Sequence, residues 1–176
     1  MPRNLYMHNT RLIRTKLNKI IGKNFFKKKI NFTSNSSLEA QIASISDDIA
    51  YNSHDLEDGL KAKLFNINDL IDLPVISEII RKHKKKLKTK NIELVLSQIV
   101  REIINVMVSD IVKNIKKSIK KLNPKSVNDI YKSNDNYVSF SDELLNFDYH
   151  IREFLKDKMY NNINVLKKNI QGKRIL

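Results

Sequence analysis

The fold is decided by the stretch from residue 36 to residue 60, which reads SSLEAQIASISDDIAYNSHDLEDGL. Its apolar side chains recur at helical steps of four, three and four, at Leu38, Ile42, Ile45 and Ile49. This spacing predicts an amphipathic helix with one face turned toward a core. We predict Ser36 as its N-cap and Glu39, at the third helical position, as the other half of a capping box.

The rest of the chain carries helical signals and no convincing strand. Further helices are predicted over residues 75–87, 91–122 and 142–161, with one more in the tail to residue 176, and a polar connection with one short helical turn over 123–140. Pro74 suits a helix start, and Pro124 prevents the longest helix from continuing. Three Gly and three Pro are too few for the turns of a β sandwich or barrel. The predicted fold is all-α, a helical bundle.

Composition narrows the class of protein. The chain has 176 residues, 41% of them apolar, which suffices for one core. It has no Cys, so a disulfide framework, a cysteine zinc site and a cysteine nucleophile are excluded. The sequence shows no signal peptide and no apolar run long enough for a bilayer, so we expect a cytoplasmic protein without a membrane partner. Its net charge of +14 favours phosphates, nucleic acid or an acidic protein as partners.

Two polar rows have the spacing of side chains that share a helix face. Asp47, Tyr51 and Asp55 stand at i, i+4 and i+8 in the first helix. Two carboxylates and a phenol in a row can bind a metal ion, a sugar hydroxyl or a cation, although a solvated acidic face has the same spacing. In the last strong helix, Arg152, Lys156 and Tyr160 repeat the pattern with two cations. That row can hold a polyphosphate or form an ordinary basic surface.

The run from Ser37 to Ala43, continued by Asp47 to Leu60, resembles the deoxyguanosine triphosphate triphosphohydrolase family, a branch of the HD-domain hydrolases. Weaker similarities lie at Met7-His8-Asn9, Ser126-Val127, Phe140-Ser141, Phe154-Leu155 and Met159-Tyr160. The resemblance implies a division of the chain in two. Residues 1–36 would be a basic remnant of the HD core, and residues 37–176 the C-terminal helical part of a dNTP triphosphohydrolase-like domain.

The resemblance also implies a reaction and a role for each row. Members hydrolyse dGTP or another dNTP to the deoxynucleoside and triphosphate, with a divalent metal such as Mg or Mn held by two His and two Asp. The last Asp of that set falls on Asp47. Tyr51 matches the aromatic residue that packs on the deoxyribose and reaches the phosphates, and Asp55 the carboxylate that reads the 3′-hydroxyl. The Arg152, Lys156 and Tyr160 row corresponds to a later helix that contacts the triphosphate and sugar.

The family's His and His-Asp ligands precede the part that this chain resembles. His54-Asp55 spells the dipeptide but belongs to the sugar-reading end of the helix, and His8, His83 and His150 do not match the ligand motifs. We expect His83 to be a surface residue. The resemblance therefore implies a truncated protein that is inactive alone and has no catalytic residue of its own. Its expected partners are a separately encoded N-terminal half and further copies of itself in a homo-oligomer.

A second function class stays open at this point. Lysine runs at 27–29, 84–86 and 116–121, together with the net charge, are compatible with a basic helical protein that binds nucleic acid. No aromatic residues are interleaved with these runs to stack on bases. Nucleic-acid binding is therefore the alternative prediction.

Overall fold

The computed structural model describes residues 35–89 and 91–175, which form six α-helices and contain no strand. The helices are α1 (Leu38–Lys61), α2 (Ile76–Thr89), α3 (Ile92–Leu122), α4 (Val127–Lys132), α5 (Asp142–Leu155) and α6 (Ile163–Ile175). A 3₁₀ turn at Ile67–Leu70 precedes α2, and a π-helical turn at Lys156–Tyr160 extends α5. The all-α prediction is confirmed. Residues 1–34, which include His8 and most of the predicted N-terminal segment, lie outside the described residues.

Helix α1 begins one residue later than predicted. The N-cap is Ser37, whose hydroxyl accepts a hydrogen bond from the Ala40 N–H at 3.3 Å. The prediction of Ser36 was therefore wrong. The carbonyl of Ser36 instead accepts a hydrogen bond from the Gln41 amide at 2.9 Å. Two adjacent serines offer the same capping chemistry, and the direction of the incoming chain selects between them.

Helix α1 ends at Lys61, two residues after Gly59. The ring of Phe65 packs directly on Gly59, and a Cβ atom there would overlap the ring. Phe65 is itself buried and packs edge-to-face against Phe154 with the ring centroids 4.9 Å apart. It has no room to withdraw, so this position requires glycine for a close approach.

The core lies around α3, because α1 and α2 both pack against this helix. The buried side chains of α3 are Val95, Leu96, Ile99, Val100, Ile103, Met107 and Ile111. Helix α5 packs on α1 and contributes Phe147, Ile151 and Leu155, each fully buried. Of the predicted apolar row of α1, Ile49 is buried and Ile45 is half-buried, whereas Ile42 is 42% exposed.

The connection between α3 and α5 contains buried apolar residues, and hydrogen bonds attach it to α3. Tyr137, Val138 and Phe140 are buried. The Asn114 amide of α3 donates to the carbonyl oxygens of Ser139 at 2.8 Å and Phe140 at 3.0 Å. Within the connection, the short α4 has a capping box formed by Ser126 and Asp129. The prediction of a polar connection over 123–140 was therefore only partly right.

Candidate functional site

A polar seam runs along the contact between α1 and α5. At one end, the Tyr160 hydroxyl of the π-helical turn donates a hydrogen bond to the Asp55 carboxylate of α1. Both residues are half-buried. Burial raises the pKa of Tyr160 well above its ordinary value, and the hydrogen bond to Asp55, its negative charge and the neighbouring Tyr51 raise it further. The Tyr160 phenol therefore stays protonated and acts as a hydrogen-bond donor.

Further along the seam, Asp148 holds the two helices together. Its carboxylate accepts a hydrogen bond from the Asn52 amide of α1 at 3.1 Å and another from Arg152 Nε at 2.9 Å. The second arm of the guanidinium, Nη2, lies 3.2 Å from Asp48 Oδ2 of α1. Asn52 and Asp148 are both buried. One buried carboxylate thus fixes the position of a cationic side chain between the helices.

In this seam, burial disfavours the charged forms of Asp148 and Arg152. Burial raises the pKa of Asp148 above its ordinary value, and the attraction of Arg152 only partly counters it. Burial lowers the pKa of Arg152, but the carboxylates of Asp148 and Asp48 outweigh that effect and hold it above its ordinary value. Arg152 is thus a permanent cation, whereas burial shifts Asp148 toward its protonated form.

Comparison with curated proteins identifies relatives of this chain. The chain is 49% identical over 160 residues to a deoxyguanosinetriphosphate triphosphohydrolase-like protein of Pelagibacter ubique, covering 91% of this chain and 43% of that protein. It is 32% identical over 158 residues to a protein of the same name from Caulobacter, covering 90% of this chain and 40% of the relative. The chain belongs to the deoxyguanosinetriphosphate triphosphohydrolase-like family. No family model matches it.

The match covers only part of the length of each relative. A further triphosphohydrolase-like protein, from Roseobacter denitrificans, is 33% identical over 141 residues, which are 80% of this chain and 36% of that protein. The chain thus spans about two fifths of the length of the curated relatives it matches. The resemblance carried by the run from Ser37 to Leu60 is confirmed at the level of the family.

Within this triphosphohydrolase-like chain, the two predicted rows meet at one point. Tyr160 of the second row contacts Asp55 of the first. Arg152 also reaches α1, but it pairs with Asp48, the neighbour of Asp47. Lys156 is exposed, and its Nζ lies 3.4 Å from Glu153 Oε1 on its own helix. The structure therefore brings Tyr160 and Arg152 to α1 and does not bring Lys156 there.

The solvent exposure of the first row decreases toward Asp55. Asp47 is exposed, Tyr51 is 61% exposed, and Asp55 is half-buried beneath Tyr160. This gradient leaves the Asp47 and Tyr51 side chains accessible to a ligand. A groove of about 450 Å³ lies elsewhere, between α2, α3 and the start of α5, and none of the predicted site residues lines it.

Sequence reasoning missed three members of the seam, Asp48, Asn52 and Asp148. The signal was present as two further helical pairs. Asp48 and Asn52 stand at i and i+4 in α1, and Asp148 and Arg152 have the same spacing in α5. The first pair lies one position after Asp47 and Tyr51, and the second pair shares Arg152 with the other predicted row. Only the packing of α5 on α1 shows which of these side chains face inward.

The donor set bears directly on the metal prediction. Among residues 35–89 and 91–175, no three His, Cys, Asp or Glu side chains come together as a metal site. Protein sites for catalytic divalent ions use three or more protein ligands. The described residues on their own therefore do not fit a resident metal, and Asp47 offers at most one ligand to it.

The described histidines do not supply the missing ligands. His83 is buried, contrary to the surface position predicted, and its Nε2 shares a hydrogen bond of 2.7 Å with Glu102 Oε1. It sits where α2 packs on α3, so the lysines that follow it in sequence do not indicate its exposure. His54 is exposed, and His150 Nδ1 donates to the Asn146 carbonyl at 2.7 Å within α5.

We expect the substitution Asp148→Asn to remove a pH-dependent loss of stability. The folded protein holds a proton on Asp148 more tightly than the unfolded chain does. The contribution of Asp148 to the free energy of unfolding is therefore greatest below the ordinary Asp pKa and falls as the pH rises through the raised value. Asn cannot ionise, so the variant lacks this fall. Urea unfolding of both proteins at several pH values between about 4 and 7 measures the difference.

Asp129→Asn is the control with the opposite sign. Hydrogen bonds from the backbone N–H groups of Lys125 and Ser126 lower the pKa of Asp129. Its contribution to stability is present above the ordinary Asp pKa and is lost as the pH falls. If both substitutions change the pH profile in the same direction, the explanation given for Asp148 is wrong.

Proposed function

We propose that this chain provides the nucleotide-binding helices of a dNTP triphosphohydrolase, with dGTP as the first candidate substrate. The proposal is carried by the contact of Tyr160 with Asp55, which joins the two rows that the family resemblance assigns to the substrate. The names of the relatives, which refer to triphosphate hydrolysis of deoxyguanosine triphosphate, support the same substrate class. Residues 37–176 then form the C-terminal helical part of an HD-type domain.

Each seam residue has a chemical task in this proposal. The Asp55 carboxylate accepts a hydrogen bond from the 3′-hydroxyl of the deoxyribose, and the protonated Tyr160 phenol fixes that carboxylate from the other side. Tyr51, exposed one turn away, packs against the sugar. Arg152 offers its guanidinium, and Lys156 its ammonium, to the triphosphate oxygens. Within the seam, Arg152 is already held by two carboxylates, so phosphate binding must compete with Asp48.

Hydrolysis requires more than the described residues provide. We propose Asp47 as one ligand of a divalent ion, Mg or Mn, that supplies Lewis-acid chemistry when it is bound. The other ligands belong to the portion of the family fold that this chain does not match, on whichever polypeptide carries it. That portion is the proposed partner, and assembly into a homo-oligomer is a second proposal. A nucleotide hydrolase of this kind acts on the dNTP pool, which favours the cytoplasm.

The nucleic-acid alternative is not favoured. The relatives are named for a nucleotide reaction. The lysines at 116, 117, 120 and 121 are exposed along α3, but no aromatic side chain alternates with them. Residues 27–29, and the side chains at 84–86, lie outside the described part of the protein.

A chimera tests the proposed function. The 160-residue segment of the Pelagibacter ubique relative that matches this chain is replaced by this chain, and triphosphate release is measured with each dNTP and Mn²⁺ or Mg²⁺. We expect the chimera to release triphosphate from dGTP, with the intact relative as the positive control. A folded chimera that is inactive while the relative is active would refute the assignment.

In the same chimera, Asp55→Asn tests the sugar contact. Because a neutral amide replaces a charged acceptor, we expect kcat/KM for dGTP to fall by about 10- to 100-fold, in line with the loss of one charge-assisted hydrogen bond of roughly 1.5–3 kcal/mol. The 3′-deoxy analogue of the substrate, which has no 3′-hydroxyl, should lose much less. Asp58→Asn, an exposed acid on the same helix, is the matched control. Equal losses with dGTP and the 3′-deoxy analogue would show that Asp55 does not read the hydroxyl.

A further inference from the structure

Helix α3 carries apolar side chains beyond those of its buried face. One face is buried against α1 and α2. Toward its C-terminal end, further apolar side chains recur at steps of four, three, four and three residues, at Val108, Val112, Ile115, Ile119 and Leu122. These five side chains are called the outer stripe. Its register follows from helix geometry, which places positions seven and eleven apart on nearly the same line.

The outer stripe is open to solvent along most of its length. Val108 and Val112 are each 45% exposed and Ile119 is 40% exposed, while Ile115 and Leu122 are half-buried and pack against the core. A helix that packs on one side only is expected to be polar on its other side. Alternating steps of four and three are the pattern by which one helix packs lengthwise against another. The stripe therefore has the form of a seat for a second helix.

The charges beside the stripe identify the kind of helix that fits. Of the six exposed side chains that alternate with the stripe, five are cationic, at Lys113, Lys116, Lys117, Lys120 and Lys121, and the sixth is Ser109. The sequence contains no Asp or Glu between Asp110 and Asp129. Charges that flank a helical seam decide which partner binds, because like charges across it repel.

The chain itself is a poor occupant by the same criterion. The outer stripe of a second copy brings the same lysines against these lysines. Residues 1–34 carry Lys and Arg but no Asp or Glu. Carboxylates in the flanks of another helix would instead pair with the lysines. We propose that the outer stripe of α3 is a docking site for an amphipathic helix of another protein, with an apolar face flanked by Asp or Glu.

This docking site is distinct from the proposed nucleotide seam, because the seam residues lie on α1, α5 and the π-helical turn and none of them lies on α3. The test uses two synthetic helical peptides with the same leucine stripe, one flanked by Glu and the other by Lys. Binding of each labelled peptide to the full chain is measured by fluorescence anisotropy. We expect the Glu peptide to bind at least about tenfold more tightly than the Lys peptide.

Variants then locate the binding on the stripe. Val112→Glu combined with Ile119→Glu should weaken the Glu peptide by about tenfold or more, since it removes apolar contact and adds repulsion. Ile163→Glu, at an exposed apolar residue of α6, should change nothing. Lys116→Glu combined with Lys120→Glu should reverse the preference toward the Lys peptide. All of these positions except Ile163 lie on α3 beside or within the stripe.

Three results would overturn the proposal. The first is equal binding of the two peptides, or binding that the stripe variants do not alter. The second is a dimer, seen by sedimentation, that Val112→Glu dissociates into monomers, because a second copy would then occupy the stripe. The third is stripe-dependent binding to vesicles of phosphatidylcholine and phosphatidylserine without binding of the Glu peptide, which would make an anionic lipid surface the occupant.

Discussion

Replacing Phe147 by Ala is expected to lower the free energy of unfolding by about 3–5 kcal/mol, the usual range for a fully buried aromatic residue. Phe147 lies on α5, is completely buried, and is the largest of the fully buried side chains. Its removal leaves a cavity that the surrounding helices fill only in part. A domain of this size has a total stability of roughly 5–15 kcal/mol, so the variant loses a large share of it.

Chemical denaturation monitored by circular dichroism measures this loss as a lower urea midpoint. Leu145→Ala is the matched control, since Leu145 lies on the same helix and is 47% exposed. We expect the control to change stability by no more than about 0.5–1 kcal/mol. Equal midpoints for the two variants would show that α5 does not pack against the core as described. Because α5 also carries Asp148 and Arg152, the Phe147 variant should loosen the polar seam as well.

Local signals in the sequence explain why the longest helix was predicted so closely. The prediction of 91–122 agrees with α3, which begins at Ile92 after the N-cap Asn91 and ends at Leu122. Asn123 adopts the left-handed conformation that ends many helices, and Pro124 follows it. All of these determinants lie within two residues of the helix ends, where one sequence suffices to read them.

Determinants that are distant in sequence could not be read in this way. The burial of Tyr137 and Val138 depends partly on Gln41 of α1, whose side-chain oxygen accepts hydrogen bonds from both backbone N–H groups, at 3.1 and 3.3 Å. Nothing in the spacing of residues 123–140 reports this contact. The burial of His83 similarly depends on Glu102, nineteen positions away on another helix.

The candidate site shows the same division. Helical spacing predicts that Arg152 and Tyr160 share a face, because that property is local to the helix. The choice of Asp48 over Asp47 as the partner of Arg152 depends on the angle and register at which α5 crosses α1. That angle and register depend on how all the helices pack in the core. The family resemblance supplied roles for the rows, which periodicity alone left open between a binding site and a solvated surface.

Asp47→Asn is expected to reduce triphosphate release by the chimera about a thousandfold. The reason is that loss of a charged ligand removes several kcal/mol of metal-derived stabilisation of the transition state, at roughly 1.4 kcal/mol per tenfold in rate. Asp47 is exposed on α1, so its removal leaves no buried group unpaired. The free energy of unfolding should accordingly stay within about 0.5 kcal/mol of that of the parent.

Three measurements separate this explanation from others. Raising the concentration of Mn²⁺ should restore part of the activity of Asp47→Asn, since a weakened site fills at higher metal concentration. Asp58→Asn, an exposed acid eleven residues further along α1, should retain full activity at low metal concentration. EDTA should abolish the activity of the parent chimera. If Asp47→Asn keeps the parent's rate and metal dependence, Asp47 is not a ligand, and the proposed role of α1 is confined to the sugar and phosphates through Tyr51 and Asp55.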